Sequence, residues 1–274
     1  SVSHVGAIPV PVEPDEDTYN ISPRLIKDKI SKNTKAIICV HLYGNPADIK
    51  PIKKIANENK LFLFEDMAQA HGAKYKRQHL GSIGDIGCFS CYPTKNLGAI
   101  GDAGLITTNN TDLATKIRML REYGWNERIS EYPGRNSRLD ELQAAVLRIK
   151  LKYLDADNEK RRQLAEYYTD KLSNLSIQLP EVREEAESVF HLYVLQVEGR
   201  QDLLEYLKGK DIQAGVHYPV PVHLQPAYQN RILTANDMSI TENLTKRIIS
   251  LPMYPELSMN DAKKIVDVLK KFLD

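Results

Sequence analysis

Cysteine is scarce in this sequence. The 274 residues hold three, Cys39, Cys88 and Cys91, each inside an apolar run. An odd, sparse set is no disulfide framework, so buried free thiols in a reducing compartment, the cytoplasm, are expected. Cys88 and Cys91 form one CxxC, but no second CxxC and no nearby histidine pair accompanies it. A metal or redox centre is therefore not expected there. Long apolar runs are also missing, so no membrane span is expected, and no secretory leader pattern opens the chain. Charge of one sign is missing too: Lys plus Arg total 37 against 36 for Asp plus Glu, a formal net charge of +1. That balance gives no electrostatic footprint for nucleic acid or an anionic membrane. No GxxxxGK[ST] occurs, so no P-loop is implied. Gly81, Gly84 and Gly87 form a GxxGxxG that differs from the dinucleotide fingerprint and does not open a helix.

What is present is an ordinary globular balance, 42% hydrophobic and 27% charged. AIPVPVE (residues 7–13) reads as a short strand. Ser22 is placed to cap a helix with Pro23 at its first position. KAIICVHL (35–42) and KLFLFED (60–66) are continuous apolar runs that suit strands buried on both faces, and residues 48–59 between them read as an amphipathic helix. Strand, helix, strand at this spacing is a βαβ unit, so a parallel sheet follows. IGCFSC (86–91) and AGLITT (103–108) read as further strands, 112–123 as a helix, and 140–175 as one long helix ended by Pro180. VFHLYVLQV (189–197) reads as a strand, and 201–208 and 261–272 as helices. The expected fold is α/β: a large domain over 1–179 with a mostly parallel sheet flanked by helices, and a smaller α+β domain over 180–274.

Ligands of open parallel sheets sit at the carboxyl ends of the strands. Asp66 falls at such an end, followed by the small-residue turn MAQAHG. Lys95 follows the strand bearing Ser90, in YPTKNLGAIGDAG, where Gly98, Gly101 and Gly104 permit tight turning. A partly desolvated lysine there would have a lowered pKa and could attack a carbonyl. Pyridoxal phosphate uses such a pair: lysine as the Schiff-base amine and carboxylate as partner of the pyridine nitrogen. From the residues alone, a structural ion pair between two strand ends is the default reading.

The stretch FEDMAQAHGAKYKRQHLGSIGDIGCFSCYPTKNLGAIGDAGLITT resembles the core motif of the DegT/StrS group of sugar aminotransferases, within the fold-type I PLP enzymes. VHLYGNPADI before it, GRNSRLDELQAAVLRIKLKYLD after it and GVHYPVPVHLQPAY near the end extend the resemblance over nearly the whole chain. The resemblance implies Lys95 as the Schiff-base lysine, Asp66 at the pyridine nitrogen, Gln69 by the phenolic oxygen and Ser90 as a hydroxyl on the phosphate. It implies that Asn136, in GRNSRL, reaches the phosphate held by the neighbouring subunit, hence a homodimer with composite sites. Tyr92, His217, Tyr218 and His223 are implied in contacts with the sugar substrate. The activity implied is transfer of an amino group, with glutamate the expected donor, to a nucleotide-linked ketosugar. YPTKNLGA and HYPVPVHLQPAY lean towards members acting at C3 of a deoxyhexose. In the family pattern an earlier segment supplies a phosphate-holding turn and a ring-stacking aromatic. This chain opens at SVSHVGAIPV, which resembles the point after that segment, so the large domain is expected to lack its N-terminal part.

Other readings stand beside this one. A dehydratase branch carries His at the lysine position, which Lys95 argues against. A non-catalytic relative with a regulatory or scaffold role is one alternative, and an unrelated α/β enzyme with an Asp66–Lys95 salt bridge is another. His217 and His223 in HYPVPVH lack an evident third ligand, so no metal is expected there. KRR (160–162) lies among acidic residues on a helix and reads as a solvated face.

Overall fold

The computed structural model describes residues 1–229, 231–232 and 237–273. In chain order its elements are α1 (Pro23–Ile26), β1 (Ala36–Val40), α2 (Ile49–Glu58), β2 (Phe62–Asp66), β3 (Lys74–Tyr75) and β4 (Gln78–His79). β5 (Ile86–Ser90), β6 (Gly104–Thr107), α3 (Thr111–Arg121), β7 (Trp125–Asn126), β8 (Ile129–Ser130), α4 (Glu141–Lys150) and α5 (Leu154–Leu172) follow. The chain continues with β9 (Ala186–Glu187), β10 (Tyr193–Gln196), α6 (Arg200–Lys208), α7 (Ser239–Arg247), β11 (Ile248–Leu251) and α8 (Met259–Leu273). Two compact units result: Lys35–Asn158 with Glu185–Val189, and Ser1–Thr34 with Glu159–Glu184 and Phe190–Asp274. No helix among the described residues is long and apolar enough to cross a membrane.

The first unit is built on a sheet of order β1-β2-β5-β6. β1–β2 and β2–β5 pair in parallel and β5–β6 antiparallel, so the sheet is mostly parallel with an antiparallel edge. The apolar stripe of α2, Ile49, Ile52, Ile55 and Ala56, is buried, and the helix contacts β1 and β2. Each buried isoleucine contributes roughly 1.5–3 kcal/mol to holding helix on sheet. The strands are not buried on both faces, as their continuous apolar runs suggest. Ile37, Cys39, Leu63 and Glu65 point inward, whereas Ile38, Val40 and Phe62 on the alternate face are 43%, 37% and 55% exposed. Strand side chains alternate strictly, so an apolar run does not distinguish one covered face from two.

The second unit pairs β10 and β11 antiparallel, with every residue of both strands buried. Leu164, Tyr168 and Leu172 of α5, Leu203 and Leu207 of α6, and Ile265 and Leu269 of α8 close one core over this ribbon. The buried carboxylate of Glu13 accepts from the backbone N–H groups of Ile240 (2.9 Å) and Thr241 (3.0 Å), satisfying donors that the first turn of α7 cannot pair internally.

Three further expectations are corrected. Residues 7–13 form no strand, because Pro9 and Pro11 remove ladder donors; the nearby pairing is an isolated Pro14–Ile21 bridge. The helical stretch 140–175 is interrupted over 151–153, where no Gly or Pro marks the break. Ser22 precedes α1 with Pro23 at N1, but its side chain makes no capping hydrogen bond and α1 runs only four residues.

Candidate active site

The register of β2 and β5 sets the site. Asp66 lies beside Cys88, and Ser90 is two residues further along the same strand. With a side-chain period of two, Asp66, Cys88 and Ser90 share one face at the carboxyl edge of neighbouring parallel strands. The electrostatics agree: burial and then the charge of Asp66 push the Cys88 thiol up. The Asp66 carboxylate Oδ1 accepts from Ala68 N (3.0 Å), which curls the chain into the turn after β2. In that turn Gln69 is buried and its Oε1 accepts from Tyr43 N at 2.6 Å.

Lys95 is half-buried in the turn directly after β5. Its N–H closes onto Tyr92 O (2.9 Å), and Ala99 N closes the wider turn onto Cys91 O (2.8 Å). Cys91, Leu97 and Ala99 are buried against Leu147 of α4 and Leu154 of α5. Lys150 Nζ donates to Gly98 O (2.6 Å), and Gln143 Oε1 accepts from Ile100 N (3.0 Å). A side chain at Gly98 would strike the Pro93 carbonyl, so glycine is required for the turn to close. Asn96, the next residue, donates to Asn158 Oδ1 (2.9 Å) and Val189 O (3.1 Å).

Two buried groups beneath these turns escaped the reading of the sequence. Glu65 faces away from Asp66 and accepts from Gly81 N (2.9 Å), Ile83 N (2.8 Å) and Gly84 N (2.6 Å), with His41 Nε2 at 3.3 Å. The signal available was the alternation in FLFED: if Asp66 points to one face, Glu65 must point to the other. His71 is 2% exposed, and neither ring nitrogen has a hydrogen-bond partner. Burial first, and then the Lys95 charge, lower its pKa to about 4; the Ser90 carbonyl pulls the other way without reaching hydrogen-bond geometry.

Of the sequence-derived candidates, Asp66 and Ser90 share a sheet face, and Gln69 and Lys95 occupy the turns after the same two strands. Tyr92 is 50% exposed on the Lys95 turn. Asn136 is exposed in the same unit, opposite Glu122, and its Oδ1 accepts from Arg138 Nε (3.1 Å). His217, Tyr218 and His223 belong to the other unit. There His217 Nδ1 lies 2.9 Å from Ser250 Oγ, His223 Nε2 lies 3.0 Å from Glu242 Oε1, and Tyr218 is 54% exposed. Burial lowers the pKa of His217. Among the described residues no group of three or more His, Cys, Asp or Glu could hold a metal ion, and all three cysteines are free.

The architecture is that of an α/β protein whose mixed, mostly parallel sheet carries a carboxylate at the end of β2 and a lysine in the turn after the neighbouring strand β5. The chain belongs to the DegT/DnrJ/EryC1/StrS aminotransferase family, whose model matches residues 1–270. It is 45% identical over 273 residues to the dTDP-3-amino-3,6-dideoxy-alpha-D-galactopyranose transaminase of Aneurinibacillus thermoaerophilus, covering 99% of this chain and 75% of that protein. The crystal structure of Streptomyces venezuelae DesV, in complex with a ketimine intermediate, superposes with a TM-score of 0.96 at 41% identity, covering 100% of this chain and 74% of the other. NtdA from Bacillus subtilis, solved with bound cofactor PMP, gives a TM-score of 0.91 at 33% identity, covering 99% of this chain and 64% of the other.

Proposed function

We propose that this chain is a pyridoxal phosphate-dependent aminotransferase that moves an amino group from an amino acid, glutamate in our reading, to a nucleotide-linked ketosugar at C3. The overall exchange is amino acid plus ketosugar to 2-oxo acid plus aminosugar. The observation that carries the reading is the placement of Asp66 and Lys95 at one edge of adjacent parallel strands. Family membership and the sugar-transaminase relatives support it.

The residues present fit the cofactor. Lys95 Nζ forms no ion pair among the described residues, which leaves the amine available to a carbonyl. The orphaned ring nitrogens of His71 mark a buried polar position beside it. Bound here, pyridoxal phosphate supplies an aldehyde that captures amines and a ring that delocalises the electron pair left when a carbon–hydrogen bond breaks. In this reading the Asp66 carboxylate holds a proton on the ring nitrogen, and Gln69 lies by the phenolic oxygen. The Ser90 hydroxyl and the partner copy's equivalent of Asn136 hold the phosphate. With the cofactor bound, Lys95 Nζ would be the base that accepts the donor's α-carbon proton and the acid that returns one to the sugar carbon. By family resemblance Tyr92 is assigned to the sugar nucleotide, and His217, Tyr218 and His223 carry the same assignment on that ground alone.

The test incubates the protein with pyridoxal phosphate, glutamate and a dTDP-linked 3-keto-6-deoxyhexose, reading 2-oxoglutarate and aminosugar by mass spectrometry. Borohydride should fix the cofactor to the Lys95 peptide, and Lys95→Ala should lose both signals. A protein that captures cofactor on Lys95 but aminates neither 3-keto nor 4-keto sugars overturns the substrate class. Capture on another lysine overturns the site.

A further inference from the structure

Asn158 stands in the first turns of α5, 2% exposed, where its residue type is a poor choice: asparagine weakens helices, and its amide must find partners to be buried. Its partners are the two turns that bear the proposed chemistry. Nδ2 donates to His71 O at 2.8 Å, five residues beyond Asp66, and Oδ1 accepts from Asn96 Nδ2 at 2.9 Å, the residue next to Lys95. Asn96 Nδ2 also donates to Val189 O at 3.1 Å. Asn96 Nδ2 therefore donates two ways, to the Val189 carbonyl and to Asn158, and Asn158 in turn donates to the His71 carbonyl. Turning either amide over would set donor against donor or acceptor against acceptor, so only one arrangement satisfies all four groups. Gly72 keeps the approach open. Its φ is +87°, and a Cβ there would come 2.8 Å from Asn158 Nδ2.

We infer that Asn158 is a positioning residue that, through Asn96, sets where the Lys95 amine stands relative to the turn that follows Asp66. The inference rests on reading Lys95 as the amine that holds the cofactor. Local evidence favours positioning over simple core filling. The Lys95 turn already has apolar anchoring through Leu97 and Ala99 and a clamp from Lys150 on Gly98. Those contacts hold the far end of the turn, whereas the Asn96–Asn158 hydrogen bond acts beside the lysine. Dispersion contacts let a turn slide, and a two-ended amide bridge does not.

The experiment uses Asn96→Ala, Asn158→Ala and the double variant. In the cofactor-free protein, pulse labelling with acetic anhydride across pH is read on the Lys95 peptide against the other lysines. Each single variant should change the Lys95 labelling rate severalfold, and the double variant should go no further than either single one, because both cut the same link. In the cofactor-loaded protein, kcat should fall between about ten- and a hundredfold while the KM for the sugar stays unchanged. Tyr168→Phe, which loses a hydrogen bond to Pro252 O in the other unit, controls for general destabilisation: it should lower Tm and leave Lys95 labelling unmoved. If the asparagine variants lower Tm with unaltered Lys95 labelling, or if their effects add, the inference is overturned. If Asn158→Ala does not accumulate as folded protein, Asn96→Ala decides alone, since Asn96 lies half-buried on the turn. Wild-type protein that captures no cofactor, with the labelling pattern as expected, overturns the functional reading and leaves the amide link standing.

Discussion

His41 Nε2 and Glu65 Oε2 lie 3.3 Å apart with both side chains fully buried. His41 Nδ1 accepts from Ala47 N at 3.1 Å, so the ring bridges the segment after β1 to the carboxylate on β2. Burial alone would raise the Glu65 pKa, but the hydrogen bonds from His41 and from the Gly84 and Gly81 amides outweigh it and hold the carboxyl below the usual glutamate range. A charged Glu65 thus gathers the 81–84 loop under the sheet, while strand alternation sends Asp66 to the opposite face. The consecutive carboxylates of FLFED thus face opposite ways, Glu65 as structural anchor and Asp66, in the function we propose, as the site residue.

Replacing Glu65 by glutamine tests this anchor. One carboxylate oxygen becomes an NH2 facing backbone donors, so at least one buried pair is lost. The expected destabilisation is about 2–4 kcal/mol by denaturant melting near neutrality. The sign with pH follows from the depressed value. The contribution of Glu65 is fully present above the ordinary glutamate range and is lost as pH falls through its lower folded pKa. Glu65→Gln should flatten that acid limb; an unchanged limb would assign it to other carboxylates.

His71 gives a second limb. Its folded pKa of about 4 lies below the ordinary histidine value of 6.5, chiefly through burial and secondarily through the Lys95 charge. The unfolded chain therefore binds the extra proton first, and stability falls as pH drops from 6.5 towards about 4. The whole span amounts to roughly 3 kcal/mol. His71→Phe should remove this slope while costing little near neutrality, since both ring nitrogens are unpaired and Phe89 lies 5.5 Å away, ring to ring. A His71 NMR titration with a midpoint near the ordinary histidine value would refute the prediction.

Asp66→Asn keeps an oxygen for the Ala68 N–H and removes the charge. Cofactor capture on Lys95, followed by absorbance and borohydride fixation, should survive. Turnover should fall about a hundredfold or more, the scale of losing one charge-stabilising group in a desolvated site. Near-normal kcat would remove Asp66 from the ring-nitrogen role.

The βαβ core was legible because its signals are local. KAIICVHL and KLFLFED are short apolar runs, and α2 carries its isoleucines at helical spacing, so type and order followed. The positions of Asp66 and Lys95 at strand ends came from the same reading. What escaped depends on partners distant in sequence. Nothing in DNEK announces that Asn158 meets His71, 87 residues away. The open face of β1 and β2 was hidden because hydrophobicity reports a preference for burial without naming the covering element. The interruption at 151–153 carries no helix breaker, and periodicity runs through it.

The last prediction concerns assembly. Asn136 is exposed, and within its own unit its Oδ1 accepts from Arg138 Nε, while Arg138 also faces Glu122 at 3.7 Å. Our reading gives the Asn136 amide to the phosphate site of a partner copy across an isologous two-fold interface. Loss of a hydrogen bond to a charged group costs ~1–3 kcal/mol, so Asn136→Ala should weaken cofactor binding by roughly ten- to a hundredfold. The cross-chain claim is tested by mixing. A Lys95→Ala chain and an Asn136→Ala chain, each impaired alone, are exchanged under conditions where subunit exchange is followed by native mass spectrometry. In a mixed dimer one site receives both mutations and the other receives neither, so activity should return to about half the wild-type value per mixed dimer. Exchange without recovered activity would place Asn136 and Lys95 in the same site of a single chain. An active species that sediments as a monomer would remove the shared site altogether.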